Sequence, residues 1–151
     1  KYEQAAVIGD SYVGLFPPGV QGPQIYEYAA CDLPIFPHEI RELCFKQNVT
    51  VHDMFSFAMK SFGQVKFGQV QSKQDSVQVT FYRAVAVSKK LMSAAFASDA
   101  DFYYQENRIF ERYNKEPNYV EYLVDGSQHG FLPCPRFYTT DIANDDTAML
   151  Y

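Results

Sequence analysis

The stretch from Thr50 to Phe62 constrains the fold most tightly. Val51, Met54, Phe55, Ala58 and Phe62 recur there at helical spacing, so their side chains share one face. Thr50 stands where a hydroxyl can accept from an unpaired amide of the first turn. Asp53, three residues on, completes a variant of the capping box, and Gly63 is a natural stop. Ser98 and Asp101 repeat that arrangement ahead of Phe102, Glu106, Ile109, Phe110 and Tyr113, which predicts a second amphipathic helix ending near Pro117. A third helix is expected from Pro37, whose fixed φ suits a first turn, with Phe36, Ile40, Leu43 and Cys44 on one flank and an end near Asn48.

The intervening segments are harder to place. Val77, Val79, Phe81, Val85 and Val87 alternate as a strand would. Yet Phe81, Ala84, Val85, Ser88, Leu91, Met92, Ala95 and Phe96 fit one helical stripe over a longer span, and helix is preferred for 76–97. The repeated Phe-Gly-Gln-Val between Phe62 and Val70 is too short to define a repeat architecture and is read as a turn, followed by a polar loop to Asp75. Tyr119 to Val124 is a short apolar element, strand or helical turn, closed by Asp125-Gly126. The expected fold is therefore mainly α: one small helical domain with a core over 37–124. The alternative is α+β, with 77–87 as a strand.

Outside that core, Gly9-Asp10, Pro17-Pro18-Gly19, Gly22-Pro23 and Pro34 interrupt any helix, so 1–36 is expected as an extended arm. Its Val13, Leu15, Phe16, Ile25, Tyr26 and Tyr28 suit an arm packed on the domain. Residues 125–151, with Pro133-Cys134-Pro135 and the acidic run from Asp141 to Asp146, are expected as a second arm.

A chain of 151 residues is the usual size of one domain. Its 12 Tyr and 13 Phe, with no Trp, place much of the contact area on rings, suited to a core or an interface. A net charge of −5 and the absence of a basic stripe argue against a nucleic-acid partner, because phosphate binding needs clustered Lys and Arg. No apolar run approaches the roughly 18 residues of a membrane span. The chain opens on Lys1 rather than Met, as a processed or trimmed product would, and no targeting segment is legible. Both a plastid and secretion are compatible with it.

Motifs that carry chemistry are sparse. Cys31, Cys44 and Cys134 lack the paired short spacings of a structural zinc site. Their odd number leaves open reduced thiols, a single disulfide, or a covalently attached group. Cys44 falls on an apolar stripe, whereas Cys134 sits between prolines that hold it extended and accessible. His38, His52 and His129 form no H-x-x-x-H pair, and no glycine-rich elbow or phosphate loop surrounds any nucleophile. No metal ligands and no catalytic residues are assigned. Asn48-Val49-Thr50 is an N-glycosylation sequon, relevant if the chain enters a secretory pathway.

The segment Ser76-Val77-Gln78-Val79-Thr80-Phe81-Tyr82-Arg83-Ala84-Val85-Ala86-Val87-Ser88 resembles a helix of phycobilisome linker domains, where an aromatic and an Arg-Ala-Val-Ala-like run precede a serine. The resemblance implies a light-harvesting assembly protein of the phycoerythrin gamma type, with Cys134, Cys31 and Cys44 as attachment points for a covalent tetrapyrrole. Linkers of that family are basic, whereas this chain is acidic. The leading functional expectation is a non-catalytic scaffolding subunit that packs aromatic faces and arms against a larger protein assembly. The alternatives are a secreted, N-glycosylated binding protein for an apolar ligand, with Asn48 as the glycan site, and a small enzyme built on an assembled Cys and His pair.

Overall fold

The computed structural model describes residues 5–91 and 99–133. In chain order these form β1 (Ala6–Asp10), α1 (Gln21–Glu27), a 3-10 turn (Ala30–Asp32), α2 (His38–Phe45), α3 (Val51–Ser61), β2 (Lys66–Ser72), α4 (Ser76–Ser88), α5 (Asp99–Tyr113) and β3 (Tyr119–Val124). The strands make one parallel sheet in the order β1-β2-β3, with Val7 opposite Phe67 and Phe67 opposite Tyr119. Parallel neighbours require crossovers, and the helices supply them. The fold is thus mixed α/β, which overturns the mainly α expectation.

Two local differences explain the correction, while the preferred helix over 76–88 holds. Residues expected as an N-terminal arm hold β1, α1 and the 3-10 turn. Of the Phe-Gly-Gln-Val repeat, read as a turn, the first copy (62–65) is a turn but the second (67–70) lies on the central strand β2. Its pattern is hidden because Gln69, Gln71 and Ser72 are buried alongside Phe67 and Val70. The segment offered as a strand in the alternative reading, 77–87, is helix α4. Val79, Tyr82 and Ala86 point inward at i, i+3 and i+7, while Val77, Phe81 and Val87 of the β-like alternation stay exposed. The buried face is therefore rotated away from the stripe that runs through Phe81 and Val85.

Other expectations hold. Thr50 Oγ1 accepts from the Asp53 amide at 3.1 Å and the Asp53 carboxylate accepts from the Thr50 amide at 2.9 Å, a complete capping box on α3. Helix α2 starts on Pro37, and α5 covers the span expected after Ser98. Ser98, Met92, Ala95, Phe96, Cys134 and the acidic run from Asp141 to Asp146 lie outside the described residues.

The main core lies between the sheet and helices α3 and α5, where Met59, Phe67, Ile109, Phe110 and Tyr113 are buried with Val13. Phe55 is its aromatic hub, with ring centroids 5.5 Å from Phe67, 5.0 Å from Tyr113 and 6.4 Å from Tyr119. A second cluster joins Ile40 and Val49 to a disulfide between Cys31 and Cys44. On the opposite sheet face Val70 and Tyr122 pack against Phe131.

Candidate functional site

In parallel sheets, side chains gather for chemistry beyond the carboxyl ends of the strands. Here β1 ends at Asp10, β2 at Ser72 and β3 at Val124. The segment after β3 turns through Asp125 and Gly126 and brings His129 back over that edge. Asp10 and Ser11 hold it in place. The Asp10 carboxylate accepts from the amides of Phe131, at 2.9 and 3.0 Å, and Leu132, at 2.9 Å. Ser11 Oγ accepts from the Gly130 amide at 2.8 Å. Ser11 itself adopts φ 57°, a left-handed turn that lets the chain leave the strand sharply.

The loop after β2 supplies the partner. Asp75 caps α4, its Oδ1 accepting from the amides of Val77 at 3.0 Å and Gln78 at 2.9 Å. Its Oδ2 accepts from Gln71 Nε2 and Gln78 Nε2, each at 3.2 Å. His129 Nδ1 then lies 2.9 Å from Oδ2 and 3.1 Å from Oδ1, across 54 residues of sequence. Asp75 is fully buried and His129 is exposed. A carboxylate can only accept, so Nδ1 is the donor in this contact. No described residue bonds Nε2.

Further side chains brace the pair. Gln78 Oε1 accepts from the Val13 amide at 3.3 Å, which ties the Asp75 cap to the loop that follows β1. Gly9 has no Cβ, and the Gln69 side chain lies across the space one would fill. Behind Asp75 lies Glu106 of α5, fully buried, with neither carboxyl oxygen bonded to a described residue. Burial pushes its carboxyl up to about 9, helped by the charges of Asp75 and Glu121, so it is neutral at pH 7. A neutral acid there adds no second negative charge beside Asp75. Burial likewise raises the hydroxyls of Tyr113 and Tyr119 above the usual tyrosine range.

A carboxylate that holds one nitrogen of an exposed imidazole leaves the other nitrogen for proton exchange, an arrangement that can activate a nucleophile. Ser11 is an unsuitable nucleophile, because it is fully buried, donates to Asp10 Oδ1 at 3.1 Å and accepts from Gly130. It is an anchor. A cleft of about 300 Å³ lined by Lys73, Gln74, Tyr103 and Asp125 opens on the same edge of the sheet.

The residues singled out from sequence fall elsewhere. Cys31 and Cys44 are bonded to each other, so neither sulfur is free for a thioether or for a thiolate nucleophile. Cys134 lies outside the described residues. Asn48 is exposed on the turn between α2 and α3. His38 sits on the α2 surface, 3.9 Å from Glu42. His52 is held near the backbone of Val13 and Gly14, and burial is the main reason its imidazole loses its proton more readily than usual. Among the described residues, no cluster of three or more potential metal ligands occurs, and no helix is long and apolar enough to cross a membrane. No family model matches the chain, and no curated protein or solved structure matches it either.

Proposed function

We propose that the protein is a hydrolase of the acyl-transfer type, with His129 as general base and Asp75 as the residue that orients it, rather than a non-catalytic scaffold. The observation that carries this reading is the 2.9 Å contact from His129 Nδ1 to a buried, fully hydrogen-bonded Asp75, made at the carboxyl edge of a parallel sheet. An imidazole so held takes a proton at Nε2 from a hydroxyl or a water as it attacks an acyl carbon. It returns the proton to the leaving group as the bond breaks. Ser11 is committed as an anchor, so the attacking oxygen is another hydroxyl or a water.

The Cys31–Cys44 disulfide supports a working place in an oxidising compartment, where such bonds persist. The test is hydrolysis of a small activated ester such as p-nitrophenyl acetate. His129→Ala should lose roughly 10²- to 10⁴-fold in rate, the usual worth of a positioned general base. A serine-directed fluorophosphonate distinguishes the two oxygens: a labelled chain carries a hydroxyl nucleophile, an unlabelled one uses water. Equal rates for the wild type and His129→Ala would remove the proposal.

One observation favours a second reading, the binding of an apolar ligand. A hollow of about 320 Å³ lies between α2 and α3, lined by Pro34, Phe36, Ile40, Met54, Phe57 and Phe62 among others. Quenching of its tyrosines by a long-chain fatty acid, lost in Phe57→Ala, is the corresponding test.

A further inference from the structure

Asn48-Val49-Thr50 is the only Asn-X-Ser/Thr sequence in the chain, and nothing in the proposed hydrolase site uses it. Asn48 is exposed, and its carboxamide bonds to no described residue. The middle residue, Val49, is fully buried beside Cys44 and Ile40. Thr50, whose hydroxyl a glycan transferase must read, is occupied. Its Oγ1 donates to Asp53 Oδ2 at 2.6 Å and accepts from the Asp53 amide at 3.1 Å. The folded sequon thus displays its acceptor nitrogen while the threonine that identifies it is withheld in the cap. An independent feature of the same hairpin suits the oxidising compartment in which such transfer occurs: Cys44, in the helix just before the sequon, is disulfide-bonded to Cys31.

We propose that Asn48 is an N-glycosylation site, filled while the chain is still extended and closed to modification once the α3 capping box forms. The donor is a lipid-pyrophosphate-linked oligosaccharide. Asn48 Nδ2 forms the bond to the sugar's anomeric carbon, the anomeric carbon–oxygen bond to pyrophosphate breaks, the lipid pyrophosphate leaves with the electron pair, and the displaced amide proton passes to a base of the transferase. The glycan then projects from the α2–α3 turn into solvent, while Thr50 and Asp53 fold beneath it into the cap.

The experiment is translation of the full chain, behind a cleavable signal sequence, in the presence of microsomes. Band shift and mass are read before and after an amidase that releases N-glycans and leaves Asp at position 48. One glycan is expected on the wild type and none on Asn48→Gln. Thr50→Asp keeps a residue able to cap the helix but removes the acceptor hydroxyl, so it should fold unglycosylated. Asp53→Ala keeps the sequon and weakens the cap, so occupancy should match or exceed that of the wild type. Refolded, unglycosylated protein offered to the transferase with its lipid-linked donor should stay unmodified, whereas a peptide spanning 46–52 is modified. A bare wild-type chain overturns the site. Lower occupancy in Asp53→Ala, or modification of the refolded protein as fast as the peptide, overturns the proposed order of events. Because translation in microsomes reads modification without requiring a stable product, a variant that folds poorly still gives an answer.

Discussion

Helices α3 and α4 both begin on a side chain that receives backbone amides, yet the two caps do different work. At α3 the partners are local: Thr50 and Asp53 exchange hydrogen bonds across three residues, and Arg112 of α5 reaches Asp53 at 2.8 Å from a half-exposed position. Burial would raise the Asp53 carboxyl, but the hydrogen bonds from Thr50 and Arg112 outweigh it and hold the group below its usual value. At α4 the cap is fully buried, and its second oxygen serves Gln71, Gln78 and His129. The α3 cap thus ties its helix to α5 through an exposed ion pair, whereas the α4 cap holds an imidazole from a buried carboxylate and, on the proposed reading, positions the general base.

The sharpest way to break this contrast is Asp75→Asn. Asparagine can still accept from the Val77 and Gln78 amides, so the helix start should survive, but its NH2 would face the donors Gln71 Nε2 and Gln78 Nε2, at a cost of about 1–3 kcal/mol. The amide cannot hold His129 in the same tautomer, and ester hydrolysis should fall by up to about 10⁴-fold. Retained activity would reduce Asp75 to a second Thr50.

Next in size is the pH dependence set by Glu106. In the folded protein its carboxyl keeps its proton up to about 9, whereas unfolded it titrates near the ordinary glutamate value of 4.5. Between those values the folded state holds the extra proton, so rising pH favours unfolding by up to about 1.4 kcal/mol per unit, and the trend levels off above the folded value. Glu106→Gln should remove that component. Urea midpoints at pH 5 and pH 9 would show the variant gaining on the wild type as pH rises, and parallel curves would refute the assignment.

Gln78→Ala comes third. It leaves the Val13 amide without its acceptor and Asp75 without one donor, at an expected cost of about 1–3 kcal/mol in a denaturant titration, together with slower ester hydrolysis. The smallest effect belongs to the local cap. Thr50→Ala, in protein made without glycosylation, should cost about 1 kcal/mol and leave hydrolysis unchanged. Loss of activity there would mean that the two caps are coupled.

The same contrast explains what could be read from the sequence. The α3 box was legible because its partners are three residues apart and its apolar face repeats every turn. The parallel sheet was not. Strand β2 buries Gln69, Gln71 and Ser72, so polar residues stand where a buried strand would show an unbroken apolar run. Strand β1 is short and lies amid glycines and prolines that suggest an arm. The pairing of His129 with Asp75 left no local mark, since 54 residues separate them and each looks ordinary among its neighbours. A trace was present in Gly9-Asp10-Ser11, a turn signal directly after an apolar run, but it marks the anchor of the loop and not the base itself.

The anchor separates position from identity. Asp10 and Ser11 grip residues 130–132 through three backbone amides and none of their side chains. Gly130 is held at φ 79° and Phe131 is buried against Val70 and Tyr122, but at position 132 any residue other than proline can present the gripped amide. The solvent-facing side chain of Leu132 is therefore free to change while His129 stays over Asp75, so on the proposed reading this one position of the edge can be rewritten without moving the base.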